Sequence, residues 1–213
     1  MISQRRYYID KYFEKYTNIL KGDVLDIGGK KENKRGNFRP NLNLNIFYLN
    51  NDHRTNPDFI LDANNFHQEL NKKFDYFFLA EVLEHLDNPD GAIKSCYQIL
   101  NENGIGFITM PFMYRKHADP KDMQRWTDTK LTEEFSNNGF TISKIIPMGG
   151  LFGVLHDFWM FSAISIRGNF FLRFLNKALF KIFSPFLKFL DIKTKYLEKF
   201  ITSGWFLIVK KEK

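Results

Sequence analysis

A chain of 213 residues with 44% hydrophobic and 26% charged residues can bury a proper core and lacks the polar bias of a disordered protein. Its single cysteine, Cys96, excludes an internal disulfide framework and a multi-cysteine metal centre. The net charge of +7 is unevenly placed: residues 1–166 hold 20 Lys/Arg against 21 Asp/Glu, whereas residues 167–213 hold 11 against 3.

The opening stretch, MISQRRYYIDKYFEKY, is charged throughout and lacks the apolar centre of a secretory leader. No run of about 18 apolar residues follows, so the expected location is the cytoplasm or the inner face of its membrane. Residues 4–20 read as a helix, with Tyr8, Tyr12, Phe13, Tyr16, Ile19 and Leu20 at helical spacing. Short apolar runs predict strands at 24–27 (VLDI), 45–49 (NIFYL), 59–61 (FIL) and 75–79 (DYFFL). A helix opened by Pro89 and Asp90 runs to Leu100, where Cys96 is a small buried hydrophobe, and the turn NENG leads into a strand at 105–110. A helix at 128–137 and strands at 140–146 and 205–209 complete the series. Strands alternating with helices predict an α/β, Rossmann-like doubly wound, mostly parallel seven-stranded sheet with helices on both faces. The last two strands lie far beyond hairpin distance, which marks a helical insertion before the final strand, within one domain spanning 1–213.

In such a sheet, ligands bind at the carboxyl ends of the strands. VLDIGG places Asp26, Gly28 and Gly29 there, and Lys30 and Lys31 stand where a dinucleotide fingerprint would approach its third glycine. A carboxylate beside the loop opposes a pyrophosphate and suits a cation. S-adenosylmethionine carries an ammonium and a sulfonium, and glycines let the backbone approach it closely. After the second strand, Asn50 or Asp52 is placed to meet ribose hydroxyls. Asp62-Ala63 follows the third strand, towards the adenine amino group, and Ala80-Glu81 follows the fourth. Asp26 could equally cap a helix, and Asp62 could open an Asx turn.

These stretches, with NPDFILDANNF, FDYFFLAEVLEHLDNPDGAI, LNENGIGFITMPF and HADPKDMQRWTDTKL, make residues 22–165 resemble class I S-adenosylmethionine-dependent methyltransferases of the type 11 kind. The segment KRGNF adds to the likeness. The nearer resemblance is to members associated with surface-polysaccharide or lipid-glycan synthesis. It implies S-adenosylmethionine as cofactor, held by Asp26, Gly28, Gly29, Asp62 and the segment around Glu81.

On the acceptor side, PFMYRKHADPKDMQRWT follows the fifth strand. His117 is the candidate general base and His85 the second candidate. Asp119 or Asp122 would orient His117, and Arg125 would hold an anionic or polyhydroxyl acceptor. The structural alternative is that Asp122 merely pairs with Arg125. No His/Cys/Asp grouping has metal-ligand spacing, so no metal is expected. Within the insertion, 151–202, Arg173, Lys177, Lys181 and Lys188 fall on an arc of roughly 80° at 100° per residue, and most of the rest is Phe, Leu and Ile. A helix of that kind over 168–200 either lies on an anionic membrane surface or packs its aromatic face on the sheet or on a second copy in a homodimer. Nucleic acid is the disfavoured partner, since no recognisable module accompanies the basic charge. The expected reaction is O-methylation of a sugar or lipid-linked glycan at the membrane. Its rivals are methylation of a small lipophilic metabolite such as a quinone precursor and a non-catalytic membrane-associated protein that keeps the fold.

Overall fold

The computed structural model describes residues 2–31, 36–118, 120–165 and 169–212. Six strands form one sheet: β1 (Gly22–Ile27), β2 (Leu44–Leu49), β3 (Phe74–Ala80), β4 (Leu100–Pro111), β5 (Thr141–Pro147) and β6 (Gly204–Lys210), ordered β2-β1-β3-β4-β6-β5. The β2–β1, β1–β3 and β3–β4 pairs are parallel, and β6 inserts antiparallel between β4 and β5.

The seventh strand expected at 59–61 is reduced to one parallel bridge, Leu49 to Phe59. Pro57 precedes it and Asp62 turns the chain two residues after Leu61's neighbour Ile60, so the run is too short to build a ladder. The expected turn NENG is absorbed into the long β4, whose register against β3 shifts between Phe74 and Tyr76 and where Asn103 takes a left-handed φ of 63°.

Alternation along the strands feeds two cores. Leu25, Ile27, Phe77, Leu79 and Ile108 point to the face covered by α2 (Pro89–Ile99) and α3 (Asp128–Asn137). Cys96 lies in that core, fully buried, and burial pushes its thiol far up, which leaves an inert hydrophobe. Val24, Phe78, Phe107 and Phe206 point to the opposite face, where α1 (Gln4–Thr17) lays down Tyr8, Ile9, Tyr12 and Phe13. With both faces covered, β1 and β3 read as nearly continuous apolar runs.

The insertion forms two helices, α4 (Leu151–Ser165) and α5 (Phe170–Lys193), the latter containing Pro185. Buried carboxylates splice them to the domain. Asp191 of α5 accepts from the N–H groups of Gly150 and Gly153 at 2.9 and 2.8 Å, capping α4, and from the Tyr8 hydroxyl at 2.9 Å. Asp157 of α4 caps α1 in turn, accepting from the N–H groups of Gln4 at 2.5 Å and Arg5 at 2.9 Å. Because these carboxylates face inward, α5 turns its polar side to α4: Trp159 donates to Asn176 at 2.8 Å, and His156 bonds Ser184 at 2.9 Å. Among the apolar residues of α5, Phe180 is buried, whereas Phe171, Phe174 and Phe186 are 65%, 63% and 55% exposed. The alternative in which the aromatic face packs on the sheet is therefore not met within this chain.

Candidate functional site

Sheet order reverses between β1 and β3, and a cleft of about 1480 Å³ opens beside their carboxyl ends. Asp26, Gly28, Gly29, Asn50, Asp52, Asp62, Ala63, Ala80, Glu81, His85 and His117 all line it. Four strand ends deliver these residues to one place, as their chain order predicts. Among the described residues no helix follows the glycine loop, so no helix N-terminus is offered to a pyrophosphate.

The loop is closed tightly. Gly28 has φ +75°, and a Cβ on Gly29 would stand 2.3–2.6 Å from the carboxyl atoms of Asp26. Asn50 fastens the turn, donating to the carbonyls of Gly28 and Gly29 at 3.2 and 3.1 Å. Its side-chain oxygen accepts from the Asp52 N–H at 2.9 Å. Asp52 grips Arg54 through both carboxylate oxygens and accepts its N–H, which draws the carboxyl down to about 2. Lys31 turns away to Asp58 at 2.6 Å, and Lys30 lines the cleft. Lys34 and Arg35 of the KRGNF segment lie outside the described residues. Asp62 opens an Asx turn, accepting from the Asn64 N–H at 3.0 Å, and still faces the cleft.

Glu81 differs from its expected role. Its carboxylate is held by Arg5 of α1, through a 2.8 Å bond from Nε and a second from the guanidinium terminus, and by the Thr109 hydroxyl at 2.8 Å. Burial pushes this carboxyl up, but Arg5 outweighs it and holds it below the ordinary value. The backbone at Glu81 sits at φ 58°, a left-handed conformation that a non-glycine residue adopts only under constraint.

His85 and His117 meet edge to face, ring centroids 5.1 Å apart, over the fully buried Glu84. Glu84 Oε1 lies 3.4 Å from His117 Nε2 and 3.6 Å from His85 Nε2. The Glu84 contact raises the pKa of His117, while burial, and then the charge of Glu81, raises that of Glu84. Glu84, and not Asp122, is thus the carboxylate nearest the His117 ring. Asp122 instead accepts the His117 backbone N–H at 2.8 Å and grips Arg125, whose hydrogen bonds above all take it to about 2. Asp122 and Arg125 line a separate hollow of about 310 Å³, where their pairing braces the loop. Asp119 lies outside the described residues.

The expectation of no metal-ligand grouping needs correction, since Glu84, His85 and His117 each place a ligand atom within 4.8 Å of the others. Spacing could not show this, because His117 arrives from a loop beyond β4. The one local signal was Glu84 beside His85, one helical turn after Glu81. Arg6, Asp10 and Phe13 of α1 also line the cleft. Asp10 Oδ1 is buried there without a hydrogen-bond partner among the described residues.

A strand-end cleft with a glycine turn and a carboxylate beside it, in this sheet order, defines a class I S-adenosylmethionine-dependent methyltransferase fold, and the cradle at Gly28 and Gly29 fits that cofactor. A family model described as a methyltransferase domain matches residues 1–144, and the chain belongs to that family. The structure resembles the [4+2]-cyclase SpnF, with a TM-score of 0.58 at 18% identity, covering 96% of this chain and 80% of that one. It also resembles an O-methyltransferase of a trans-AT polyketide synthase from Brevibacillus brevis, solved with S-adenosylhomocysteine, with a TM-score of 0.57 at 14% identity over 99% and 72% of the two chains. A ubiquinone biosynthesis O-methyltransferase of Glaesserella parasuis is 47% identical over 38 residues, only 18% of this chain and 16% of that protein.

Proposed function

We propose that the protein is a single methyltransferase domain, with 151–202 as an insertion, that O-methylates a sugar or lipid-linked glycan at the cytoplasmic face of a membrane. The observation that carries this reading is that His85 and His117 line the same cleft as Asp26, Gly28 and Gly29. Bound S-adenosylmethionine supplies an activated methyl group. Asp26 would face its cationic end, Gly28 and Gly29 its chain, and Asn50, Asp52, Asp62 and Ala63 its adenosine, with Ala80 and the Glu81 backbone between. His117 takes the acceptor hydroxyl proton on Nε2, and Glu84 stabilises the resulting imidazolium. Arg115 and Lys116 beside it suit an acceptor with an anionic head. Arg115 and Tyr114 both contact Phe161 of α4, 4.3 and 5.5 Å from its ring centroid, so the acceptor end adjoins the insertion. The outward aromatic face of α5, with Arg173, Lys177 and Lys181 on its flank, is suited to an anionic bilayer.

Incubation with S-adenosylmethionine and extracted membrane glycolipids should add one methyl mass to a glycan-bearing product, and His117→Ala should lower turnover far more than cofactor affinity. Equal losses in both would remove His117 from the base role, and methylation confined to quinone-like lipids would transfer the reading to a small lipophilic acceptor. Anionic liposomes should co-sediment the protein and release a Phe171→Ser/Phe174→Ser/Phe186→Ser variant. Identical sedimentation of both would end the membrane part.

A further inference from the structure

We propose that Glu84, His85 and His117 form a binding site for a divalent first-row transition metal, Zn²⁺ by its donor set, with one position open to the cleft. The inference deepens the site described above and rests on the same methyltransferase reading.

Three observations carry it. First, the Nδ1 of each imidazole faces a carbonyl: His85 Nδ1 lies 2.5 Å from Lys121 O, and His117 Nδ1 lies 3.4 Å from Arg115 O. A carbonyl only accepts, so with a metal in place of the Nε2 proton each Nδ1–H would be directed at a carbonyl and each Nε2 lone pair at the ion. That is the outer-shell arrangement that fixes metal-binding histidines. Second, both Nε2 atoms converge on Glu84 Oε1, at 3.6 and 3.4 Å. Neither Glu84 oxygen has a hydrogen-bond partner among the described residues, although both are fully buried. Third, the spacing discriminates between fillers. A bridging proton would draw nitrogen and oxygen to about 2.7–3.2 Å. Ligands 2.0–2.2 Å from a tetrahedral ion stand about 3.4 Å apart, close to the two nitrogen–oxygen separations of 3.4 and 3.6 Å, and the three ligand atoms all lie within 4.8 Å of one another. Two imidazoles with one carboxylate favour Zn²⁺ over Mg²⁺ or Ca²⁺, which prefer all-oxygen sites.

Both histidines line the cleft and Glu84 does not, so an ion held by the three would be reached by the acceptor from the cleft side. An acceptor hydroxyl that fills the open position loses its proton to water at the cleft mouth. In the metal-loaded protein His117 is then a ligand, and in the metal-free protein it is the base.

The test is isothermal titration of the chelator-treated full chain with ZnCl₂, alongside S-adenosylhomocysteine titration and thermal melting of the same samples. The expected result is one Zn²⁺ per chain, weakened at least a hundredfold by His117→Ala and by His85→Ala, with the metal-free melting temperature of His117→Ala near that of the wild type. Co²⁺ should give the intense visible bands of a four-coordinate site, and these should vanish in His117→Ala. Absence of Zn²⁺ binding, wild-type affinity in both variants, or saturation by Mg²⁺ but not Zn²⁺ overturns the proposal. Loss of metal binding with S-adenosylhomocysteine still bound would leave the methyltransferase reading standing. Zn²⁺ bound with no S-adenosylhomocysteine affinity would overturn that reading and keep the metal.

Discussion

Replacing Arg5 by Met tests whether the N-terminal helix is held to the cleft by charge. Arg5 is 1% exposed and gives two bonds to Glu81 and one of 2.9 Å to the Ser203 carbonyl. Methionine fills similar volume but leaves the largely buried Glu81 carboxylate, 14% exposed, unneutralised, which costs about 3–5 kcal/mol. For a domain of this size that lowers the melting temperature by about 6–20 °C. Adding Glu81→Gln removes the stranded charge while keeping an oxygen for Thr109, and should recover about half the loss. The pH slope is the sharper readout. In the wild type the Glu81 carboxyl is depressed, so its stabilisation is present above the unfolded value of 4.5 and is lost as pH falls through the folded value. Without Arg5, burial dominates and raises the carboxyl, so the variant should gain stability on acidification where the wild type loses it. Calorimetric melts from pH 4 to 8 measure both. A variant slope of the same sign as the wild type, or no recovery in the double variant, would refute the reasoning.

Glu198 is 3% exposed, and burial raises its carboxyl from 4.5 to about 7, with Asp191 adding to the shift and Lys195 and Lys11 opposing it. The folded state therefore holds this proton more tightly, and stability present below pH 4.5 should drain away as pH rises through 7, by at most about 3 kcal/mol. Tyr8 and Tyr12, beside the same charge, titrate far above this window. Glu198→Gln should flatten the loss and exceed the wild type in melting temperature at pH 8; a wild-type advantage there would contradict the assignment. Gly29→Ala should weaken S-adenosylhomocysteine binding at least tenfold, about 1.4 kcal/mol, because its Cβ meets the Asp26 carboxyl. Unchanged affinity in titration calorimetry, with native circular dichroism, would show that the loop opens without cost.

The shared cleft lining of Asp26, Asp62 and Glu81 was legible because each follows an apolar run, and chain order then fixes the shared edge. Asp26, Asp62 and Glu81 could be located that way, but what each carboxylate holds could not. Arg5 reads as one more charge on a basic N-terminus, and only packing of α1 over β3 and β4 brings it to Glu81. The same limit hid Glu84 behind His117, since 33 sequence positions and a change of element separate them. The third strand failed for a local reason: FIL has strand propensity but no room between Pro57 and Asp62 for more than one bridge.

Periodicity located the faces of α5 but not which face turns inward, and here burial of polarity overrides hydrophobicity. Asp191 must reach the α4 N-terminus, and Ser184 and Asn176 must reach His156 and Trp159, all from one side of the helix. One buried and two half-buried polar anchors on that side leave only Phe180, among the α5 phenylalanines, buried against α4. From Ser184 the hydrogen bonds continue through His156 and Asp157 to the Arg5 N–H, and the Arg5 guanidinium reaches Glu81 at the cleft wall. Leaving each of these polar groups unpaired would cost about 1–3 kcal/mol, so the insertion is set against the cleft by polar bonds while its apolar surface stays outside. The exposed phenylalanines are the surface that the proposed bilayer contact would cover, at about 25 cal/mol per Å² removed from water.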